Sequence, residues 1–146
     1  MRTLTAVLAL ALAACGSGDP DDKVTAGPAS AALGQEYVVG YAETLRLQGG
    51  VTLEFTTLSE DSRCPTNVTC VWEGNARILV TMTTTHASSV LELNTSSRFA
   101  TRATFDGYLV ELRKLEPVPV AGVPTSASAH EATLFIDHAT SSGNGG

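Results

Sequence analysis

Hydrophobic and polar residues alternate along several short stretches of the chain, which is the pattern of half-buried β-strands. The clearest stretch is VTLEFTTL, in which Val51, Leu53 and Phe55 share one face and threonine and glutamate side chains occupy the other. The same alternation recurs in ARILVTMTTT, SVLELN and YLVELR further along. No window after the first fourteen residues repeats apolar residues with a helical period, so the sequence predicts strands throughout this region.

Turn signals separate these stretches at regular intervals. Gln48 to Gly50 and Asp106-Gly107 each join two strand-like stretches, and the Asp-Gly pair is a strong hairpin signal. Residues 116–124, EPVPVAGVP, are predicted to lie outside any central strand, because their three prolines lack the amide hydrogen that a ladder needs. Seven or eight short strands over residues 35–138 predict an all-β domain, either an antiparallel β-sandwich or a small barrel.

The N-terminal residues have a different character. Arg2 precedes an apolar run, Leu4 to Leu12, that is too short to span a bilayer as a helix. A charge, an apolar run and small residues are typical of a secretory signal peptide, so residues 1–14 are left out of the fold. Residues 15–34, rich in Gly, Pro, Ala, Ser and Asp, are expected to form a flexible tether, and residues 139–146 a disordered tail.

The residues LAAC, Leu12 to Cys15, resemble the lipobox of bacterial lipoproteins, an apolar residue and two small residues before a cysteine. The resemblance implies that Cys15 is lipidated, begins the mature chain and anchors it to a membrane of the bacterial cell envelope. Ordinary cleavage after Ala13 is the alternative, and it would leave Cys15 as an unpaired thiol. Gly16 stands where an aspartate would resemble an inner-membrane retention signal, so the resemblance favours the outer membrane, with its periplasmic or surface face left open.

Composition and motifs argue against several functions. The formal net charge of −6 becomes −7 once Arg2 is removed with the signal, which makes nucleic acid a poor partner. Hydrolase, phosphate-loop and dinucleotide motifs are missing, so we predict neither a catalytic residue nor a cofactor. His86, His130 and His138 are scattered and are expected to be ordinary surface residues, so no metal site is predicted.

The stretch DSRCPTNVTCVWEG contains two cysteines, Pro65 and the only tryptophan, Trp72. A zinc site would need more ligands in close pairs, a redox pair would have C-x-x-C spacing, and a catalytic cysteine would need a free thiolate beside a histidine. With Cys15 assigned to lipid by the lipobox resemblance, Cys64 and Cys70 remain as a pair, which an oxidising compartment converts to a disulfide. We therefore expect a stapled connection between strands, with Trp72 covering the bridge or the open end of the sandwich.

The same region resembles a motif of small bacterial exported proteins and lipoproteins of unassigned function. The pattern is D-S-R-C-P, a short polar stretch, then C-V/I-W-x-G-x-A, and the matching residues are Asp61, Ser62, Arg63, Cys64, Pro65, Cys70, Val71, Trp72, Gly74 and Ala76. The resemblance implies an exported β-domain and supplies no activity. Asp61 and Arg63 are expected to pair with each other or with backbone amides, and a candidate recognition loop comprises Asp61, Arg63, Pro65 and Trp72. Glu60, Asp61 and Glu73 form an acidic cluster that suits Ca²⁺ by charge, although the EF-hand pattern is absent.

Three functional hypotheses follow. The first is a non-catalytic envelope lipoprotein whose β-domain serves binding or structural support, with an unknown protein partner. The second is an inhibitor of a hydrolase, a lysozyme or a protease, since acidic charge suits a basic lysozyme and a rigid loop suits an active-site cleft. The third is an enzyme in which two carboxylates converge in a concave pocket, drawn from Glu54, Asp61, Glu73, Glu92, Asp106 and Glu111.

Overall fold

The computed structural model of the chain describes residues 30–140. The predicted signal peptide, Cys15 and most of the predicted tether and tail lie outside these residues. The described part of the chain has no helix that is long and apolar enough to cross a membrane. Its eight strands are β1 (Gln35–Gly40), β2 (Thr44–Leu47), β3 (Val51–Asp61), β4 (Ala76–Thr83), β5 (Ser88–Asn94), β6 (Arg102–Phe105), β7 (Tyr108–Glu116) and β8 (Glu131–His138).

The strands form two four-stranded sheets, one with the order β2-β3-β4-β5 and the other with the order β1-β8-β7-β6. All pairings within the two sheets are antiparallel. The predicted all-β class is therefore confirmed, and of its two forms the structure is the sandwich. The chain stays in the first sheet from β2 to β5, and β1 joins the second sheet beside the last strand.

The predicted alternation decides which side chains fill the space between the sheets. Val51, Leu53 and Phe55 are at most 1% exposed, as are the inward residues of β4. The Asp106-Gly107 hairpin is confirmed, and both residues adopt positive φ (47° and 80°), as a two-residue hairpin turn of this type needs. Residues 117–124 of the proline-rich segment lie outside the strands, as predicted, between the end of β7 and the start of β8, whereas Glu116 is the last residue of β7.

The two ends of the sandwich differ in what they carry. β1 begins where β8 ends, since Gln35 pairs with Ile136, and we name this the terminal end. β3 ends and β4 begins at the opposite end, which carries the residues between Asp61 and Ala76, and we name this the loop end. β3 has 11 residues at about 3.3 Å each, so the loop end lies about 35 Å from the terminal end.

Candidate functional site

The residues between β3 and β4, here called the Cys loop (62–75), contain the predicted disulfide. Cys64 and Cys70 are bonded, with their Cα atoms 5.9 Å apart, which confirms the staple. Closing a loop of this length stabilises the fold by about 2–2.5 kcal/mol in the chain-entropy model. The tip of the loop is therefore held covalently as well as by the contacts described next.

Gly74 lets the two arms of the Cys loop lie side by side. Its φ is 71°, and a Cβ atom placed there would be 1.9 Å from the carbonyl oxygen of Ser62. The amide of Ser62 donates to the carbonyl of Asn75 at 2.7 Å, and the amide of Cys64 donates to that of Glu73 at 2.8 Å. Any larger residue at position 74 would separate the arms, so glycine is required there.

The tip of the Cys loop also contacts the proline-rich segment. The amide of Thr66 donates to the carbonyl of Pro119 at 3.0 Å. The Asn67 side chain accepts from the amide of Ala121 at 2.8 Å and donates to its carbonyl at 3.3 Å. Two irregular segments from different sheets thus support each other at the loop end.

Asp61 and Arg63 form the ion pair that was predicted, and the pair is largely buried. Two guanidinium nitrogens of Arg63 lie 2.8 and 2.6 Å from the carboxylate oxygens of Asp61. The same guanidinium donates to the carbonyls of Leu115, in β7, and of Pro117, at 2.8 Å for Pro117. The side chains are only 11% and 16% exposed. Because β3 and β7 belong to different sheets, this one side chain joins the sheets at the loop end.

His130 joins the same network, and its prediction as a surface residue is wrong. The residue is 3% exposed, with Nδ1 3.0 Å from the carbonyl oxygen of Ser126 and Nε2 3.5 Å from a carboxylate oxygen of Asp61. Burial raises the pKa of the Asp61 carboxyl, but the hydrogen bonds and charge of Arg63, helped by His130, outweigh it. The net result is a pKa below the ordinary value for aspartate.

Trp72 is largely exposed, whereas the sequence led us to expect it to be buried over the bridge or the open end of the sandwich. Its side chain is 70% exposed and forms part of a surface pocket of about 300 Å³ on the outer face of the first sheet. Phe99, in the connection from β5 to β6, lines the same pocket and is 57% exposed. The candidate recognition loop is therefore divided: Asp61 and Arg63 are structural, whereas Trp72 faces solvent. Pro65 does not line the pocket.

Charged side chains of both signs line the pocket beside the two aromatic residues. Arg77 lies 3.6 Å from Glu60 and 4.0 Å from Glu92, on neighbouring strands. Glu73 accepts a hydrogen bond from the hydroxyl of Ser96 at 2.6 Å. Arg98, next to Phe99 in the chain, also lines the pocket. Glu73 and Glu92, two of the six carboxylates named in the enzyme hypothesis, thus line the same pocket.

A buried hydrogen-bond network fixes the floor of the pocket. The side-chain amide of Asn75 donates to that of Asn94 at 2.9 Å, and its oxygen accepts from the amide of Ser96 at 3.1 Å. Asn94 donates in turn to the carbonyl of Ala100 at 3.1 Å. The segment that carries Phe99 is therefore tied to the base of the Cys loop. Sequence reasoning missed Phe99 and Asn94, because they are distant from the cysteines along the chain. It also missed the role of Asn75, because the partner of that side chain is the distant Asn94.

The predicted acidic cluster does not gather at one point. Glu60 and Asp61 are neighbours in a strand, and their side chains point to opposite faces, the first toward Arg77 and the second toward His130. Within residues 30–140, no three His, Cys, Asp or Glu side chains lie close enough together to hold a metal ion.

A second polar cluster joins the two sheets at the terminal end. Thr84 donates to Asp106 at 2.5 Å, and Nδ1 of His86 lies 3.2 Å from the same carboxylate oxygen. These hydrogen bonds lower the pKa of Asp106. The cluster does not have the order of a nucleophilic triad, because the hydroxyl contacts the carboxylate instead of the imidazole. It connects two hairpin turns and is best explained as structural.

The chain was compared with models of known protein families, with curated proteins and with solved structures, and none of the three comparisons found a match. The site is therefore interpreted from its own geometry. That geometry defines an antiparallel β-sandwich whose loop end combines a stapled, ion-paired loop with a preformed pocket between two exposed aromatic side chains.

Proposed function

We propose that the chain is a lipid-anchored protein of the bacterial cell envelope, on the outer membrane, and that its sandwich is a non-catalytic binding domain. The observation that carries the binding role is the exposure of Trp72 and Phe99 on one pocket. Large exposed aromatic residues are uncommon on a surface that has no partner, and a pocket with aromatic walls and a few fixed polar groups is the usual form of a ligand site.

The position of the pocket supports the anchored arrangement. Ala31 bridges to Leu47 at the terminal end, so a tether leading to Cys15 would leave the domain there. The pocket lies at the other end, about 35 Å away by the length of β3. An anchor at Cys15 would therefore leave the loop end clear of the membrane surface and open to a partner.

The bonding of the carboxylates supports a binding role over catalysis. Glu60 and Glu92 share Arg77 between them, and Glu73 is engaged by Ser96. A general acid or base must have its carboxylate within hydrogen-bond reach of a bound substrate, whereas these carboxylates are bonded to side chains of the protein itself.

The anchor and the binding role have separate tests. Growth with an alkyne-tagged fatty acid should label the wild-type chain and leave a Cys15→Ser variant unlabelled; equal labelling would refute the anchor. For binding, the full-length chain, extracted in detergent and immobilised, is incubated with an envelope extract. Ligands retained by the wild type and by Val38→Ala, an exposed residue of the other sheet, should be lost with Trp72→Ala. Identical retention by all three would refute a binding role for the pocket.

Inhibition of a hydrolase is the second candidate, and the shape of the Cys loop favours it. Val68, inside the loop that the disulfide closes, is 47% exposed, and Val71, directly after Cys70, is 94% exposed. A rigid protruding segment enters a cleft with little loss of conformational entropy. Lysozymes and a panel of proteases assayed with the full chain at micromolar concentration test this proposal. Inhibition by the wild type that Val71→Glu abolishes would support it, and uninhibited activity throughout would exclude it.

A further inference from the structure

We propose that the pocket between Trp72 and Phe99 binds a saccharide, a short segment of a glycan chain. This inference rests on the proposed binding function and names the chemical class of its ligand. Three properties of the pocket carry it: its two aromatic walls, the mixture of donors and acceptors beside them, and the rigidity of its floor.

The aromatic walls suit the carbon-bound hydrogens of a sugar ring. A pyranose presents patches of C–H groups on its faces, and these pack against the electron-rich face of an aromatic ring. Trp72 and Phe99 are 70% and 57% exposed and line the same pocket, so both retain surface for such a contact. Burying that surface against a ligand removes apolar area from water, which supplies the driving force for binding.

The polar lining suits hydroxyl groups, each of which both donates and accepts a hydrogen bond. Glu60, Glu73 and Glu92 offer acceptors, and Arg77 and Arg98 offer donors. A purely apolar ligand would desolvate these charged groups without replacing their hydrogen bonds, which is costly. A strongly basic peptide would be repelled by the two guanidinium groups, and a strongly acidic one would be repelled by the three carboxylates. A neutral polyhydroxylated ligand satisfies both signs.

The floor of the pocket is held in place before any ligand arrives. Asn75 and Asn94 are buried and bonded to each other, and the Cys64–Cys70 disulfide closes the loop that leads to Trp72. A preformed site loses little conformational entropy on binding, which matters for saccharides because their contacts are individually weak. The volume of about 300 Å³ is at the small end of the range for ligand pockets, which fits a short segment of a longer chain.

The test uses the intrinsic fluorescence of Trp72, the only tryptophan in the chain. The full-length chain in detergent is titrated with soluble neutral oligomers of N-acetylglucosamine, of glucose and of galactose, and then applied to a glycan array. We expect a saturable change in Trp72 emission with at least one class. Phe99→Ala keeps the reporter and should weaken binding about tenfold through the loss of one aromatic wall. Val38→Ala removes a similarly exposed apolar side chain from the other sheet and should bind as the wild type does.

Each other outcome overturns a defined part of the reasoning. No response to any oligomer and no array signal overturns the saccharide assignment, and the capture experiment with envelope extract then decides separately whether the binding function survives. A response that Phe99→Ala leaves unchanged places the saccharide elsewhere and also overturns the assignment. Release of shorter oligomers, lost with Glu73→Gln, keeps the saccharide and overturns the non-catalytic role. Retention of a peptide instead, dependent on Phe99, overturns the saccharide and keeps the binding function.

Discussion

The contribution of the Asp61–Arg63 pair to stability can be tested by replacing Arg63 with alanine. The Arg63 guanidinium bonds to the Asp61 carboxylate and to the carbonyls of Leu115 and Pro117, and it is 11% exposed. Its removal leaves a mostly buried carboxylate and two carbonyls without their donor. Breaking a buried pair from one side costs about 3–5 kcal/mol, and the residual exposure of this pair reduces the expected loss to about 3 kcal/mol.

A surface ion pair of equal length provides the matched control. Lys114 and Glu116 also approach to 2.6 Å, but their side chains are 64% and 39% exposed. Lys114→Ala should therefore cost only about 0–1 kcal/mol. The loss of stability for Arg63→Lys should lie between the losses for the two alanine variants. An ammonium group keeps the positive charge but lacks the planar guanidinium that reaches the carboxylate and the carbonyls together.

Denaturant unfolding followed by far-UV circular dichroism measures these differences. The midpoint should fall for Arg63→Ala while the dependence of the unfolding free energy on denaturant concentration stays unchanged, which marks a loss of stability in a cooperative domain. A loss no larger for Arg63→Ala than for Lys114→Ala would refute the argument that burial sets the strength of the pair.

Three further predictions follow from burial, protonation and covalent closure. The pKa of Asp61 is lower in the folded state, so the stability that this residue contributes is complete above its unfolded pKa of about 3.9 and is lost as pH falls through the lower folded pKa. The difference in unfolding free energy between wild type and Asp61→Asn should therefore be large at pH 7 and shrink below about pH 4. A difference that stays constant with pH would contradict this. Replacing Cys64 and Cys70 together by serine should cost about 2–2.5 kcal/mol in the same assay, with reduced wild type as the comparison, and no change would refute a stabilising bridge. Phe55→Ala, at a fully buried position, should lower the unfolding free energy by about 3–5 kcal/mol. Phe99→Ala should change the stability little because that ring is 57% exposed, and equal losses of stability for the two variants would contradict this.

The strands were predictable because the pattern that marks each one lies in consecutive residues. The alternation around Leu53 and around Val80 marks the inward face directly, since successive side chains of a strand point to opposite sides. The hairpin at Asp106-Gly107 was predictable for the same reason, because a two-residue turn is a local event. The sequence could not distinguish a sandwich from a barrel, because that depends on where the chain passes from one sheet to the other. It does so after β1 and after β5.

The candidate site was predictable only in part, because its other contacts join distant segments. The pairing of Asp61 with Arg63 spans two residues and was expected, but its partner His130 is far along the chain, directly before β8 of the other sheet. Trp72 was expected to be buried because it is large and apolar, and its exposure depends on the path of the Cys loop. Phe99 carried no local signal, since its proximity to the Cys loop follows from the pairing of β4 with β5.

The pairing of β1 with β8 also constrains the order in which the domain folds. Gln35 and Ile136 are neighbours in the sheet and stand near opposite ends of the folded sequence. Strands β2 to β5 can pair as soon as each has been synthesised, because each contacts the one before it. Within residues 30–140, β1 pairs only with β8, the last strand to be synthesised, and such distant contacts are slow to form because a long loop must close first. We therefore expect the first strand to remain unpaired throughout synthesis and the second sheet to be completed last.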